Sequence, residues 1–201
     1  MWGDGDYYDA SFSIHVSRRY HAKMRDYYQM LYNYTTGFNA FGASGAFVAL
    51  LGSLTTLAAT LSALVALLSL FDSIFKYESK ARKHEELCAR FTRLAAKLET
   101  LDPTSQNLAA IRSDRLLIEC EEPAGERRLV ERQAACEEGR ARGVVEEDLI
   151  HLRRDQRIFG YLFTYGMKHL EDQKAARDKR WAAKAALLPE PPHGLPDQAR
   201  Q

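Results

Sequence analysis

An all-α fold, a two-helix transmembrane hairpin continuous with a cytoplasmic helical bundle, is predicted by three observations. No Asp, Glu, Lys or Arg occurs from Tyr27 to Phe71. That stretch divides at Gly52-Ser53-Leu54-Thr55-Thr56 into two arms, each long enough to cross a bilayer core about 30 Å thick, which takes roughly 20 apolar residues of helix. Elsewhere apolar residues recur every three or four positions, the helical period, and no segment reads as a strand.

The chain has 201 residues, with 28 Lys and Arg and 27 Asp and Glu, all outside the neutral stretch. A formal net charge of +1 provides no global field to draw the chain onto nucleic acid, so no nucleic-acid partner is expected. From Asp72 onward the two signs interleave, as on solvated helix faces. Three cysteines, Cys88, Cys120 and Cys136, are few and odd in number, which fits a reducing compartment better than a disulfide framework. Asp4, Asp6 and Asp9 open the chain, and the apolar run comes too late and is too long for a secretory signal.

Taken in order, residues 1–8 are expected to be disordered. Residues 9–30 form an amphipathic lead-in helix, with Phe12, Val16, Tyr20, Met24 and Tyr27 on its apolar face, continuous with the first span. The hairpin is 31–75, with arms 31–51 and 56–75. The second arm, containing LAATLSALVALLSLF, is the more apolar; the first carries Asn39, three glycines and several hydroxyls. Residues 76–188 form the cytoplasmic helical domain. There the apolar pattern runs on through Leu87, Phe91, Leu94, Leu98 and Leu101 to the breaker Asp102-Pro103, so the second membrane helix is expected to extend well past the bilayer. Further helices are expected over Gln106–Glu122, about Gly125–Arg142 and about Val145–Leu188. Within the last, Ile158–Met167 is apolar but too short to span, so it should pack in a core or lie at an interface. The tail 189–201 is expected to be disordered.

So short a turn makes the arms antiparallel neighbours. Basic residues flank both outer ends and the turn is uncharged, which puts both termini in the cytoplasm. Arg18, Arg19, Tyr27, Tyr28, Phe71, Phe75 and Lys76 are the expected membrane-interface residues. Gly42, Gly45, Ala46 and Ala49 on the first arm and Ala59, Ala63 and Ala66 on the second recur at helical spacing. In lipid such small residues allow close helix approach, within the hairpin or between subunits. Thr35, Asn39, Thr56 and Thr60 are candidate pore-lining residues. Hydroxyls can instead bond back to their own helix, whereas the Asn39 amide needs a partner. The competing reading of the neutral stretch is a buried hairpin in a soluble protein, but such a hairpin should show a charged stripe.

No catalytic, cofactor-binding or metal site is expected. The histidines are scattered, and no HExxH, P-loop, GxGxxG or GxSxG occurs. His84 and Cys88 lie four apart, as two metal ligands on one helix face would, but no third or fourth ligand accompanies them. The acidic run Glu119-Cys120-Glu121-Glu122 reads as a solvated helix end.

The order of segments resembles the SLATT family of bacterial two-transmembrane effectors, over roughly Ser17 to Gly143. It is carried by RRYHAKMRDYY (Arg18–Tyr28), the tight hairpin, the long charged helix after it, IECEEP (Ile118–Pro123) and EEGRARG (Glu137–Gly143). Cys136 stands near where an Asn often sits, and the C-terminal extension also departs from the pattern. The resemblance implies an inner-membrane effector of anti-phage or related conflict systems. Such an effector would oligomerise into a pore in membrane lipid, causing abortive infection, under control of a trigger: a nucleotide signal, a partner protein or a phage component. A non-catalytic membrane-anchored interaction module and a phage lysis accessory are the alternatives.

Overall fold

The computed structural model describes residues 4–52, 54–102, 104–123 and 127–187, and within them every regular element is helical. Helix α1 spans Asp4–Leu51, α2 Thr55–Phe75, α3 Tyr77–Thr100, α4 Ser105–Glu119, α5 Arg128–Ala141, α6 Arg154–Phe159 and α7 Met167–Leu187; a single 3₁₀ turn lies at Glu146–Asp148. One run of helix, within Thr55–Thr100, is long and apolar enough to cross a membrane by length and composition, and almost none of that apolar window is buried within the chain.

The first half of α1 packs on α3 and α5, and its second half packs on α2. Ala10 and Ile14 of α1 join Leu87, Phe91, Leu94, Ala95 and Leu98 of α3 and Leu108, Ile111 and Ile118 of α4 in the main core. The α3 members recur every three to four residues, so one stripe of a helix whose other faces are charged is buried. Thr104 caps α4 by accepting from the Asn107 N–H, satisfying one of the four amides a helix start leaves open. A second, smaller core joins Leu129 and Cys136 of α5 to Ile150 and Leu170.

Three expectations are corrected. The disordered start does not extend to residue 8: α1 begins at Asp4, because Tyr7 packs on the main core, Asp6 meets Arg112 and the Arg142 guanidinium lies over Tyr8 and Phe12. Residues 1–3 lie outside the described residues, as does the tail 189–201. The second arm does not run on unbroken: Lys76, at φ +50°, ends α2 by donating its N–H to the Asp72 carbonyl, and α3 starts on the next residue. A left-handed Lys costs about 1–2 kcal/mol, so the packing on either side enforces this joint.

The single helix expected over Val145–Leu188 is instead a 3₁₀ turn and two helices. The buried Gln156 amide donates to the Tyr165 and Gly166 carbonyls, and Gly166 takes φ +65° where a Cβ would lie 2.7 Å from Gln156 Nε2. That side chain–backbone lock competes successfully with helix continuation. It leaves Ile158 and Phe159 at the end of α6, and Leu162 and Phe163 in the loop after it, exposed rather than in a core.

Candidate functional site

Two places gather the candidate residues: the junction where α1, α3 and the α4–α5 connection meet, and the seam between the apolar arms.

At the junction, His21 lies on the buried face of α1 and His84 in the apolar stripe of α3. Their Nδ1 atoms are 2.9 Å apart, and His21 Nε2 is 3.0 Å from Glu122 Oε1. His21 is fully buried and His84 is 3% exposed. Phe91 stacks on His21, and Tyr28 stacks on His84. A contact between two imidazole nitrogens holds one proton, so one ring must accept. Burial, then the adjacent His21 ring, pushes the His84 pKa down to about 4, so this ring is neutral at neutral pH. Its Nδ1 is committed to His21, and its ring lines the adjoining cavity.

A second cluster clamps α1 to α5. The Arg19 Nε donates to Glu138 at 2.7 Å, the Arg142 Nε donates to the other Glu138 oxygen at 2.8 Å, and Lys23 donates to Glu137 at 2.8 Å. Burial alone would raise the Glu138 carboxyl, but Arg142 and Arg19 outweigh it and hold the group below the usual carboxylate range. The acidic run at 119–122 is likewise engaged: Glu119 bonds Arg115, Glu121 bonds Arg90 and Lys83, and Glu122 bonds His21. The run closes α4 with Cys120 and Glu121 exposed, as a solvated helix end does, and its carboxylates are ion-paired there. RRYHAKMRDYY, IECEEP and EEGRARG, far apart in sequence, meet at this junction.

Beside His84 lies a cavity of about 390 Å³, lined by Tyr20, Met24, Tyr28, Ser79, Lys80, Lys83, Pro123 and Arg127. Lys80 Nζ sits 5.5 Å from the Tyr28 ring centre and 5.9 Å from that of Phe75.

Between the arms, Gly42 faces Val65 and Gly45 faces Leu61, so the arms run antiparallel; a Cβ on Gly42 would lie 2.5 Å from Val65 Cγ2. Of α2, only Ala58, Leu61, Val65, Leu68 and Asp72 are shielded from the exterior, matched on α1 by Thr35, Asn39, Gly42, Gly45, Ala46 and Ala49. Alternating three- and four-residue steps are the spacing of a helix-packing seam. The two small-residue faces thus have different fates. Gly42, Gly45, Ala46 and Ala49 pack inside the chain, while Ala59, Ala63 and Ala66 are exposed on the far side of α2.

The candidate pore residues are not brought together. Thr35 lies on the seam and donates back to the Leu31 and Tyr32 carbonyls. Asn39 is also on the seam, its Oδ1 buried without a hydrogen-bond partner among the described residues. Thr56 and Thr60 face outward, and Thr60 bonds back to Leu57. Among the expected interface residues, Tyr27 stacks on Tyr161, Phe71 on Phe75 and Phe75 on Tyr77, and Lys76 is the joint. Arg18 is half-buried. Arg19 is turned away from the arms into the Glu138 clamp. It precedes Tyr27 by eight residues, roughly 12 Å of helix rise.

Three residues of these two places were not singled out from the sequence. His21 carried a usable signal, since it falls seven residues after Ile14 on a buried face. Glu122 did not, because its partner is 101 residues away. Asp72, the first charge after the neutral stretch, has its Oδ1 buried on the seam without a partner among the described residues. An ionisable group inside an apolar helix is a functional candidate by default. Compared with protein-family models, curated proteins and solved structures, the chain has no match.

Proposed function

We propose that the chain is a bacterial inner-membrane effector. Its two arms insert as a hairpin with both termini cytoplasmic, and several copies associate into a pore that dissipates the membrane potential in anti-phage defence by abortive infection. One observation carries this reading. Of α2 only Ala58 is fully buried, and Leu57, Leu64, Leu67, Leu70 and Ile74 are each about half exposed or more. An apolar surface this continuous far exceeds what a soluble monomer leaves in water and calls for lipid or further helices. The exposed stripe Ala59, Ala63 and Ala66 suits close approach of a second copy. A single hairpin encloses no lumen, so assembly is required. Opening of the α1–α2 seam would turn Thr35, Asn39 and Asp72 toward water, with the Lys76 joint as the swivel. The bundle would hold the closed state until its trigger, a nucleotide signal, partner protein or phage component, binds. No enzymatic step and no cofactor enter the proposal.

Membrane potential in cells expressing the protein, followed with and without phage infection, tests this. Depolarisation and dye entry are expected, and Ala63→Leu should abolish both while leaving membrane insertion intact. Because Thr35, Asn39 and Asp72 face the seam rather than the exterior, a second reading stands beside it, in which the closed hairpin only anchors the bundle for a partner. That reading predicts an intact membrane potential even at lethal expression, and rescue by an unrelated hairpin.

A further inference from the structure

We propose that the cavity beside His84 binds a phosphate group, supplied by the headgroup of an anionic lipid. The lipid source rests on the membrane reading above; the phosphate chemistry does not. The cavity of about 390 Å³ is large enough for a headgroup phosphate with part of its ester. Its donors converge from two segments: Lys80 and Lys83 from α3, and Arg127 from the residue before α5.

Lys83 is engaged by Glu86 and Glu121. Lys80 and Arg127 have no carboxylate partner among the described residues: Lys80 lies over the Tyr28 and Phe75 rings, and Arg127 Nη1 donates to the Leu162 carbonyl at 3.1 Å. Two cations held by rings and a carbonyl beside this cavity form a recess of one sign, which Coulomb attraction favours an anion to enter.

Position selects the source. Phe75, the last residue of the apolar arm, is the ring under Lys80, so the cavity mouth lies where acyl chains would end. Arg127 ties it to the loop after α6, where Phe163 and the adjoining Ile158 and Phe159 of α6 are exposed. An apolar loop beside a basic recess at the cytoplasmic end of a membrane helix is the arrangement that holds an anionic headgroup.

The full-length chain in neutral detergent, titrated with phosphatidylglycerol or phosphatidylcholine and followed by native mass spectrometry, tests this; inorganic phosphate with thermal unfolding is a separate arm. Retention of phosphatidylglycerol should exceed that of phosphatidylcholine. In Lys80→Ala combined with Arg127→Ala, it should weaken by about tenfold for each lost charged contact. Lys97→Ala, which removes an exposed cation elsewhere on α3, should leave retention unchanged. Equal retention of the two lipids, with phosphate stabilising the wild type but not the double variant, keeps the phosphate site and makes its source soluble. No preference in either arm, or a double variant that binds like the wild type, overturns the proposal. A chain that binds phosphate yet leaves the membrane potential intact refutes the pore and not the cavity.

Discussion

The two halves of α1 belong to one continuous helix but are held by opposite means. From Asp6 to Tyr28, specific polar pairs fix its rotation and height: Arg19 on Glu138, His21 on Glu122 and His84, Lys23 on Glu137. From Thr35 to Ala49, only shape does, with glycine and alanine against Val65 and Leu61. The lower half therefore has one arrangement. The upper half has a close-packed one, from which the arms can separate without breaking an ion pair.

The largest effect should come from breaking the rigid half. Glu138→Ala leaves Arg19 and Arg142 without their shared, nearly buried carboxylate, and is expected to cost about 3–5 kcal/mol, read by denaturant unfolding of the purified chain. Gly42→Leu attacks the other half. Its side chain collides with Val65, and overpacking of this kind costs about 1–3 kcal/mol. Cross-linking between the arms should fall while the α1–α5 clamp stays intact. Ala63→Leu, on the outer face, should leave arm-to-arm cross-linking unchanged and reduce only self-association. If Gly42→Leu and Ala63→Leu behave alike, the division into an inner and an outer small-residue face is wrong.

Acidification should weaken the junction. The His84 pKa is depressed from 6.5 to about 4, so below pH 6.5 the unfolded chain takes up a proton that the folded chain refuses. Stability from this group is complete above pH 6.5 and is lost as the pH falls toward about 4. The ring faces His21, Tyr20 and Tyr28 from α1 and Lys80 and Lys83 from its own helix, and Glu122 reaches it only through His21. His84→Phe should flatten this part of the pH–stability curve. Burial lowers His15 too, which leaves a shallower residual slope. The smallest effect is expected from Lys76→Gly, which removes the strain of a left-handed side chain and should stabilise the fold by about 1 kcal/mol, seen as a small rise in the unfolding midpoint.

Much of this architecture was legible from period and charge. The neutral stretch marked the arms, and Leu87, Phe91, Leu94 and Leu98 marked the buried stripe of α3. His84 sits three residues before Leu87, in step with that stripe, yet the sequence set it beside Cys88 and gave no sign of its buried partner His21. Rotation about the arm axes was not legible. Ala46 and Ala63 look alike in sequence, and only the register that pairs Gly42 with Val65 shows that one is inside and the other outside. Nor was the break at Lys76, since a lysine carries no signal for a left-handed backbone. The loss of helix near Gly160–Gly166 depends on the Gln156 amide reaching two carbonyls nine and ten residues on, a tertiary lock that overrides local propensity.

The account rests on the arms lying in lipid with both outer ends on one side. A membrane-impermeant maleimide applied to intact spheroplasts expressing Leu54→Cys tests this most directly. The thiol introduced in the turn should react, while native Cys120, exposed on the bundle, should react only after the membrane is opened. Equal reactivity of the two thiols, or recovery of the chain in the soluble fraction, would contradict the account.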